Sequence, residues 1–309
     1  MEYYSIREIT NLWKVSRQMV MKYLKHGQIP GAILEEGAWK IPYDAVKPGT
    51  VPVQEEQTSE ASPLLKKLLY QQYRNNHYGI YEYLLLNMAY SSNRMASNRL
   101  TRQQVQMVHR AHRIDPNFEP VKIDDVLEIF NHLNTTDFIL KTCLDRLTVD
   151  YIKKIHSLLT YGTFFDQKKG NGVGTLRPKS IQIQGGVASN PALILKDLHG
   201  LTMEYEKGKA DLPKILAFHV RFERIHPFSD YNGRVGRLIM LKECLRYGID
   251  PFIIDDRKRS AYFHGIASWD EDPSQLTDIV LQAQQRFQNM MDTCNKFDFD
   301  RHANPRRML

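Results

Sequence analysis

The sequence predicts a mainly α-helical chain with a small helix-and-hairpin module at its start and a larger helical core after it. Three observations lead there. Apolar residues recur at helical spacing on both sides of a polar loop near residue 230. Residues 1–48 carry two capped helical segments and a hairpin pattern of their own. Between the modules, the stretch from Pro48-Gly49 to Pro63 supplies breakers, acidic charge from Glu55, Glu56 and Glu60, and few apolar residues, as a flexible linker does. Residues 49–63 are therefore read as linker and 64–309 as the core. With 309 residues, 42% of them apolar and 25% charged, the composition is that of an ordinary globular protein. It leaves room for one small domain and one core of roughly 245 residues.

The first module begins with Ser5-Ile6-Arg7-Glu8, a capping box, followed by Ile9 and Leu12 at helical spacing. Ser16 is a good N-cap for a second helix over 16–26, which carries Arg17, Lys22 and Lys25 without an acid and meets Gly27 at its end. Ala32 to Pro42 reads as a small hairpin, with Trp39 available to pack beneath the helices. The arrangement is similar to the winged helix-turn-helix of excisionase and MerR-type regulators. That resemblance implies a recognition helix at 16–26 with Arg17, Gln18 and Lys22 nearest the groove of duplex DNA. A protein-docking module of the same size is the alternative.

In the core, Leu216, Phe218, Val220, Phe222 and Ile225 predict an amphipathic helix, and Val235, Leu238, Ile239, Leu241 and Leu245 predict another. Between them lies Ile225-His226-Pro227-Phe228-Ser229-Asp230-Tyr231-Asn232-Gly233-Arg234-Val235-Gly236-Arg237. It combines a base, a carboxylate suited to a metal, a Gly-containing turn and two arginines, which are the parts of a phosphate-handling site. A loop ending at a helix N-terminus offers free N–H groups and the positive end of the helix dipole to an anion. Arg234 and Arg237 are three apart and share a helix face, so both guanidinium forks can converge on it. A calcium loop is excluded, because an EF-hand with Gly233 at its sixth position would run from Phe228 to Ile239, and neither is a carboxylate. His219 lies on about the same helix face as His226. With no Cys or His at zinc spacing, it reads as a hydrogen-bonded core residue.

These residues resemble the Fic motif, HPFx(D/E)GNGRxxR, at every position but one: Tyr231 stands where the family usually has glycine. The resemblance implies a Fic-type helical bundle with a small β-hairpin flap. It also implies an enzyme that transfers AMP from ATP to a Ser, Thr or Tyr hydroxyl of a target protein, itself included. Carried over by position, His226 is the general base and Asp230 holds Mg2+. Asn232, Gly233, Gly236 and the neighbouring N–H groups form the anion nest, Arg234 and Arg237 bind the β- and γ-phosphates, and Phe228 pins the loop. If position 231 needs a positive φ, tyrosine is strained there by about 1–3 kcal/mol; if not, its ring lines the pocket. Gly174-Thr175-Leu176-Arg177 followed by Ser180 to Gly185 resembles the family's flap, which docks an extended target segment by strand addition. Arg259 to Ile266 is similar to the stretch beside the nucleoside, making Tyr262 a candidate for the adenine pocket. Ser92 to Thr101 resembles the inhibitory helix, (S/T)xxxE(G/N), expected around 91–99. Its glutamate position is Ala96, so the pairing with Arg237 should be missing. The alternative is a catalytically weakened Fic scaffold serving as a DNA-binding regulator or nucleotide sensor, and transfer of another phosphate-containing group uses the same fold.

No run approaches the ~18–20 apolar residues of a membrane span and no signal peptide heads the chain, so a cytoplasmic protein is expected. Cys143, Cys244 and Cys294 are odd in number and widely separated, as in a reducing compartment. The net charge of +7 suits ATP or nucleic acid without choosing between them, being spread over dispersed Lys and Arg that include Arg301, Arg306 and Arg307 of a tail expected to fray. The partners expected are ATP, a protein with an acceptor hydroxyl, DNA through residues 1–48 and, as an open alternative, a second copy of the chain.

Overall fold

The computed structural model describes residues 3–29, 31–35, 37–42, 45, 47–48, 61–74, 78–114, 120–167, 172–183 and 186–303. The chain divides into two units, 1–60 and 61–309. Most of the expected linker, 49–60, and the last residues of the tail, 304–309, lie outside the described residues.

In the first unit, α1 (Ile6–Trp13) starts at the predicted capping box, where Ser5 and Glu8 satisfy each other's backbone N–H groups. Helix α2 (Arg17–Lys25) is capped by Ser16, whose side chain accepts from the Met19 N–H. Strands β2 (Ile33–Glu35) and β3 (Ala38–Pro42) pair antiparallel with Leu34 opposite Trp39. A third strand, β1 (Tyr3–Tyr4), pairs with the outer edge of β3. Its two residues carry no periodic signal, so the sequence did not announce it. Ile9, Trp13, Val20, Leu24, Ile29 and Ile41 form the core, with Trp39 packed on it. The first helix contributes one turn's stripe, the second the facing stripe, and the sheet closes the third side. Arg17, Gln18 and Lys22 are all exposed.

The second unit opens with α3 (Pro63–Tyr73), capped by Ser62 with proline in its first turn. The helical core thus starts just before Leu64, where the cap and the rigid φ of Pro63 set it. Next come α4 (Ile80–Arg94), α5 (Arg102–Ala111), α6 (Ile123–Thr142), α7 (Val149–Thr160), the short α8 (Phe164–Gln167), α9 (Ile194–Tyr205), α10 (Leu212–Ile225), α11 (Asn232–Arg246), α12 (Arg259–Ala267) and α13 (Ser274–Ala303). Helix α11 is the centre, packed against α10, α7, α6 and α4. Nearly all its residues are buried, including Arg234, Arg237, Lys242 and Glu243. A helix enclosed on all sides must satisfy its charged groups internally. Lys242 does so with Glu243 and the carbonyls of Cys143 and Asp145.

The hairpin in this unit is β4 (Gln182–Ile183) with β5 (Gly186–Val187), joined through residues 184–185, which lie outside the described residues. It begins later than the sequence suggested. Gly174 to Arg177 is not a strand, because Arg177 is buried and committed to other partners. Among the described residues no helix is long and apolar enough to cross a membrane, and all three cysteines are buried.

Candidate active site

Helix α10 ends at His226, whose backbone adopts the left-handed conformation (φ 49°, ψ 62°) while its N–H still closes on the Phe222 carbonyl at 2.9 Å. This turns the chain out of the helix and brings the imidazole to the rim of the site. Its Nδ1 lies 3.1 Å from the Glu223 carbonyl oxygen. A carbonyl can only accept, so Nδ1 carries the proton and Nε2 keeps its lone pair. Burial holds the histidine's pKa below the usual imidazole range, with the Glu223 hydrogen bond acting in the opposite sense, so the ring is a neutral base near pH 7.

The loop that follows is tied at both ends by one side chain. Asn232 accepts from the Phe228 N–H at 2.9 Å and donates to the Phe228 carbonyl at 2.8 Å. Its amide therefore shapes the loop rather than reaching for an anion. Phe228 is fully buried and stacks on His156, centroids 3.9 Å apart, and His156 accepts from the Gly174 N–H at 3.1 Å. Loop and flap approach are thus pinned to α7 by one aromatic pair.

Beneath the loop sits a residue that spacing did not single out for this task. Arg177 donates to the carbonyls of His226 (2.7 Å), Ile225 (3.2 Å), Lys179 (2.6 Å) and Ser189 (2.5 Å), and its own N–H reaches the Pro227 carbonyl at 2.9 Å. It stitches the base-bearing loop to the chain on both sides of the hairpin.

The start of α11 carries the groups expected to meet an anion. Gly233 is partly open, and a Cβ there would meet Arg237 Nη1 at 3.0 Å, so glycine leaves that guanidinium its place. Gly236 faces the other way. A Cβ would lie 2.7 Å from His219 Cε1 and 3.0 Å from Glu223 Oε1, so this glycine lets α10 and α11 pack closely and does not touch phosphate. Arg237 donates to the Ser92 hydroxyl and carbonyl, both at 3.0 Å. Arg237 Nη1 and Arg234 Nε are buried with no hydrogen-bond partner among the described residues. Such donors are costly to leave unmade, and the oxygens of an anion such as phosphate would satisfy them. Asp230 has an exposed carboxylate 3.8 Å from Arg234. Among the described residues no group of three or more His, Cys, Asp or Glu could hold a metal alone. Asp230, as a single open carboxylate, would suit a magnesium ion that draws its remaining ligands from outside the protein.

Tyr231 settles one open question. Its φ is +68°, so the position does use the conformation that glycine favours. The ring is also buried, and its hydroxyl donates to Glu128 at 2.9 Å. Tyr262, expected beside the nucleoside, is corrected: it is wholly buried, with its hydroxyl 2.5 Å from His219 Nε2 and its ring 5.9 Å from the Arg237 guanidinium carbon. It presents no open face to a purine and instead backs Arg237. The expected inhibitory helix is shorter than drawn. Helix α4 ends at Arg94, Ala96 is exposed in the following turn, and Ser97 takes the left-handed conformation (φ 71°). It is Ser92, the first residue of that resemblance, and not position 96 that meets Arg237, its hydroxyl accepting from Arg237 Nε.

Fold and site together define a helical domain with a base, an open carboxylate and paired arginines around one helix N-terminus. Residues 146–244 match the model of the Fic/DOC family. Over 95 residues the chain is 32% and 33% identical to the proteins named protein adenylyltransferase Fic of Drosophila virilis and Drosophila grimshawi, covering 29% of this chain and 20% of each relative. It thus matches about a fifth of the length of these relatives. Among solved structures, a Fic domain containing signaling protein from Bacteroides thetaiotaomicron shares the fold with TM-score 0.60 and 19% identity, covering 78% of this chain and 93% of that one. A Fic family protein from Desulfovibrio desulfuricans does so with TM-score 0.54 and 19% identity, covering 80% and 75%.

Proposed function

We propose that the chain is a protein adenylyltransferase. The observation that carries this reading is the pair of buried, unpartnered donors on Arg234 and Arg237, set at a helix N-terminus beside a neutral imidazole with an open Nε2. In the proposed reaction the oxygen of a Ser, Thr or Tyr hydroxyl bonds to the α-phosphorus of ATP while the bond from that phosphorus to the bridging oxygen of the β-phosphate breaks. The hydroxyl proton passes to His226 Nε2, and pyrophosphate leaves. Arg234 and Arg237 hold the leaving phosphates, the N–H groups of Gly233 and its neighbours orient them, and Asp230 would hold Mg2+, which neutralises phosphate charge. Positioning and charge supply most of the acceleration, and the base about 10²–10⁴-fold.

The test is intact mass after incubation with ATP and magnesium, alongside the other nucleoside triphosphates. A gain equal to AMP on the chain itself or on a captured protein supports the reading. A gain matching another group reassigns the chemistry, and no gain with any nucleotide favours the second reading, a weakened scaffold that senses nucleotide or regulates DNA. The specific observation behind that second reading is Tyr231, a buried tyrosine at positive φ in the middle of the anion loop. For residues 1–48 the proposed role is DNA binding through α2, supported by the exposure of Arg17, Gln18 and Lys22 along one helix without an acid.

A further inference from the structure

The inhibitory carboxylate of the resemblance is absent at Ala96, yet the arginine pair does not lack a carboxylate. Glu128, on α6, sets its Oε1 2.9 Å from Arg234 Nη1. The same oxygen accepts from the Tyr231 hydroxyl at 2.9 Å, and Oε2 accepts from Asn98 Nδ2 at 3.0 Å. Tyr231 also lays its ring on the guanidinium, 3.4 Å from centroid to Cζ. Asn93 adds a further acceptor to Arg234 Nη1 at 3.2 Å. Arg234 is therefore covered on one face and paired at Nη1, with Asp230 3.8 Å from Nη2 and no hydrogen-bond partner for Nε among the described residues. Both side chains of the ion pair are largely buried, 4% and 15% exposed, where charge-assisted bonds are strong and screening is weak.

We propose that Glu128 is an internal anion that holds Arg234 against the nucleotide, and that Tyr231 latches it there. The proposal rests on the phosphate-binding role assigned above to Arg234. A phosphate oxygen approaching this arginine meets Glu128 already in place and a like charge within reach, so it must either displace the carboxylate or bind beside it at an electrostatic penalty. The latch explains why the loop tolerates a tyrosine in a glycine conformation: the hydroxyl and ring are both used.

The experiment is calorimetric titration of the full chain with ATP and magnesium, and with adenosine as a probe lacking phosphate. Glu128→Gln keeps the shape and removes the charge. It should bind ATP about tenfold more tightly than the parent, a change of about 1.4 kcal/mol, with adenosine unchanged. Tyr231→Phe keeps the ring but loses the hydroxyl. It should tighten ATP by a smaller factor, and the double variant should gain little beyond Glu128→Gln alone. Unchanged or weaker ATP binding by Glu128→Gln overturns the proposal, since a pair that merely fixes Arg234 would behave so. If Glu128→Gln fails to fold, the Tyr231→Phe result decides in the same two directions. The transferase reading fails separately, when ATP binds but no variant gains the mass of AMP on itself or on a captured protein.

Discussion

His226 and Arg237 carry different burdens in the proposed reaction, and single substitutions separate them. His226→Ala should abolish modification by about 100-fold or more while leaving ATP affinity within about twofold, because the base meets the hydroxyl and not the phosphates. Parallel loss of ATP binding in calorimetry would remove His226 from that role. Tyr231→Gly should relieve backbone strain of about 1 kcal/mol but forfeit a buried ring and its bond to Glu128, worth more. A net loss of about 2–3 kcal/mol in urea unfolding is expected, together with tighter ATP binding; a more stable variant would show that strain outweighs packing. At this scale the sequence was legible where the groups are neighbours in the chain. His226, Asp230, Arg234 and Arg237 fall in one stretch, so spacing alone gathers them. Glu128 and Arg177 reach the same loop from elsewhere in the chain, and no local pattern announces a carboxylate on one helix as the partner of an arginine on another. Tyr262 misled for the converse reason: an aromatic at helical spacing reads the same whether it lines a pocket or, as here, fills the core.

Among the helices, the tight crossing of α10 and α11 depends on Gly236, where a methyl group would sit 2.7–3.0 Å from His219 and Glu223. Gly236→Ala should lower stability by about 1–3 kcal/mol and reduce turnover by displacing the end of α10 that carries His226. Thermal melting and turnover measured on one preparation check both, and a neutral result would mean that the interface has slack. The end of α4 invites the opposite experiment. Ala96→Glu should lower turnover several-fold, because a carboxylate reaching Arg237 would take the Nη1 donor that is now unpaired. A variant as active as the parent removes the inhibitory assignment. Elements with chemical punctuation were read correctly: Ser5 with Glu8 and Ser16 cap the helices they were expected to cap, and the hairpin read over Ala32 to Pro42 pairs Ile33–Glu35 with Ala38–Lys40. The second hairpin was placed too early: Gly174 to Arg177 is not a strand, and Arg177 turns inward to the His226 carbonyl.

For the whole molecule, buried titratable groups set the response to acid. His132, His156 and His219 are each pushed down to about 3, by burial first, and so stay neutral in the folded chain. Unfolding frees imidazoles that take up protons below about 6.5, so stability is lost as pH falls through that value. Glu223 works the other way: burial raises it to about 7 from 4.5, and its contribution declines as pH rises between those values. With these three imidazoles set against one carboxyl, stability should fall as pH drops from about 6 to about 5. Urea unfolding at several pH values should show it, with Glu223→Gln gaining stability at about pH 8 and little at about pH 4; a flat profile would contradict the burial of these histidines. The division into two units leads to a separate expectation, that deleting residues 1–48 leaves the proposed AMP transfer nearly intact. In the full chain, Arg17→Ala and Lys22→Ala should each flatten the salt dependence of duplex binding, by about one unit of slope for every phosphate no longer neutralised. Absence of any salt-dependent affinity would point to protein docking. Arg177 has a consequence for how such a domain can diversify. All of the partners its side chain holds are backbone carbonyls, which every amino acid supplies. The stretch 180–188 between its outer anchors can therefore be rewritten, or exchanged for that of another chain, with the imidazole held in register throughout. If this stretch meets a target, as the resemblance implies, choice of target and the proposed chemistry could then be altered independently of each other.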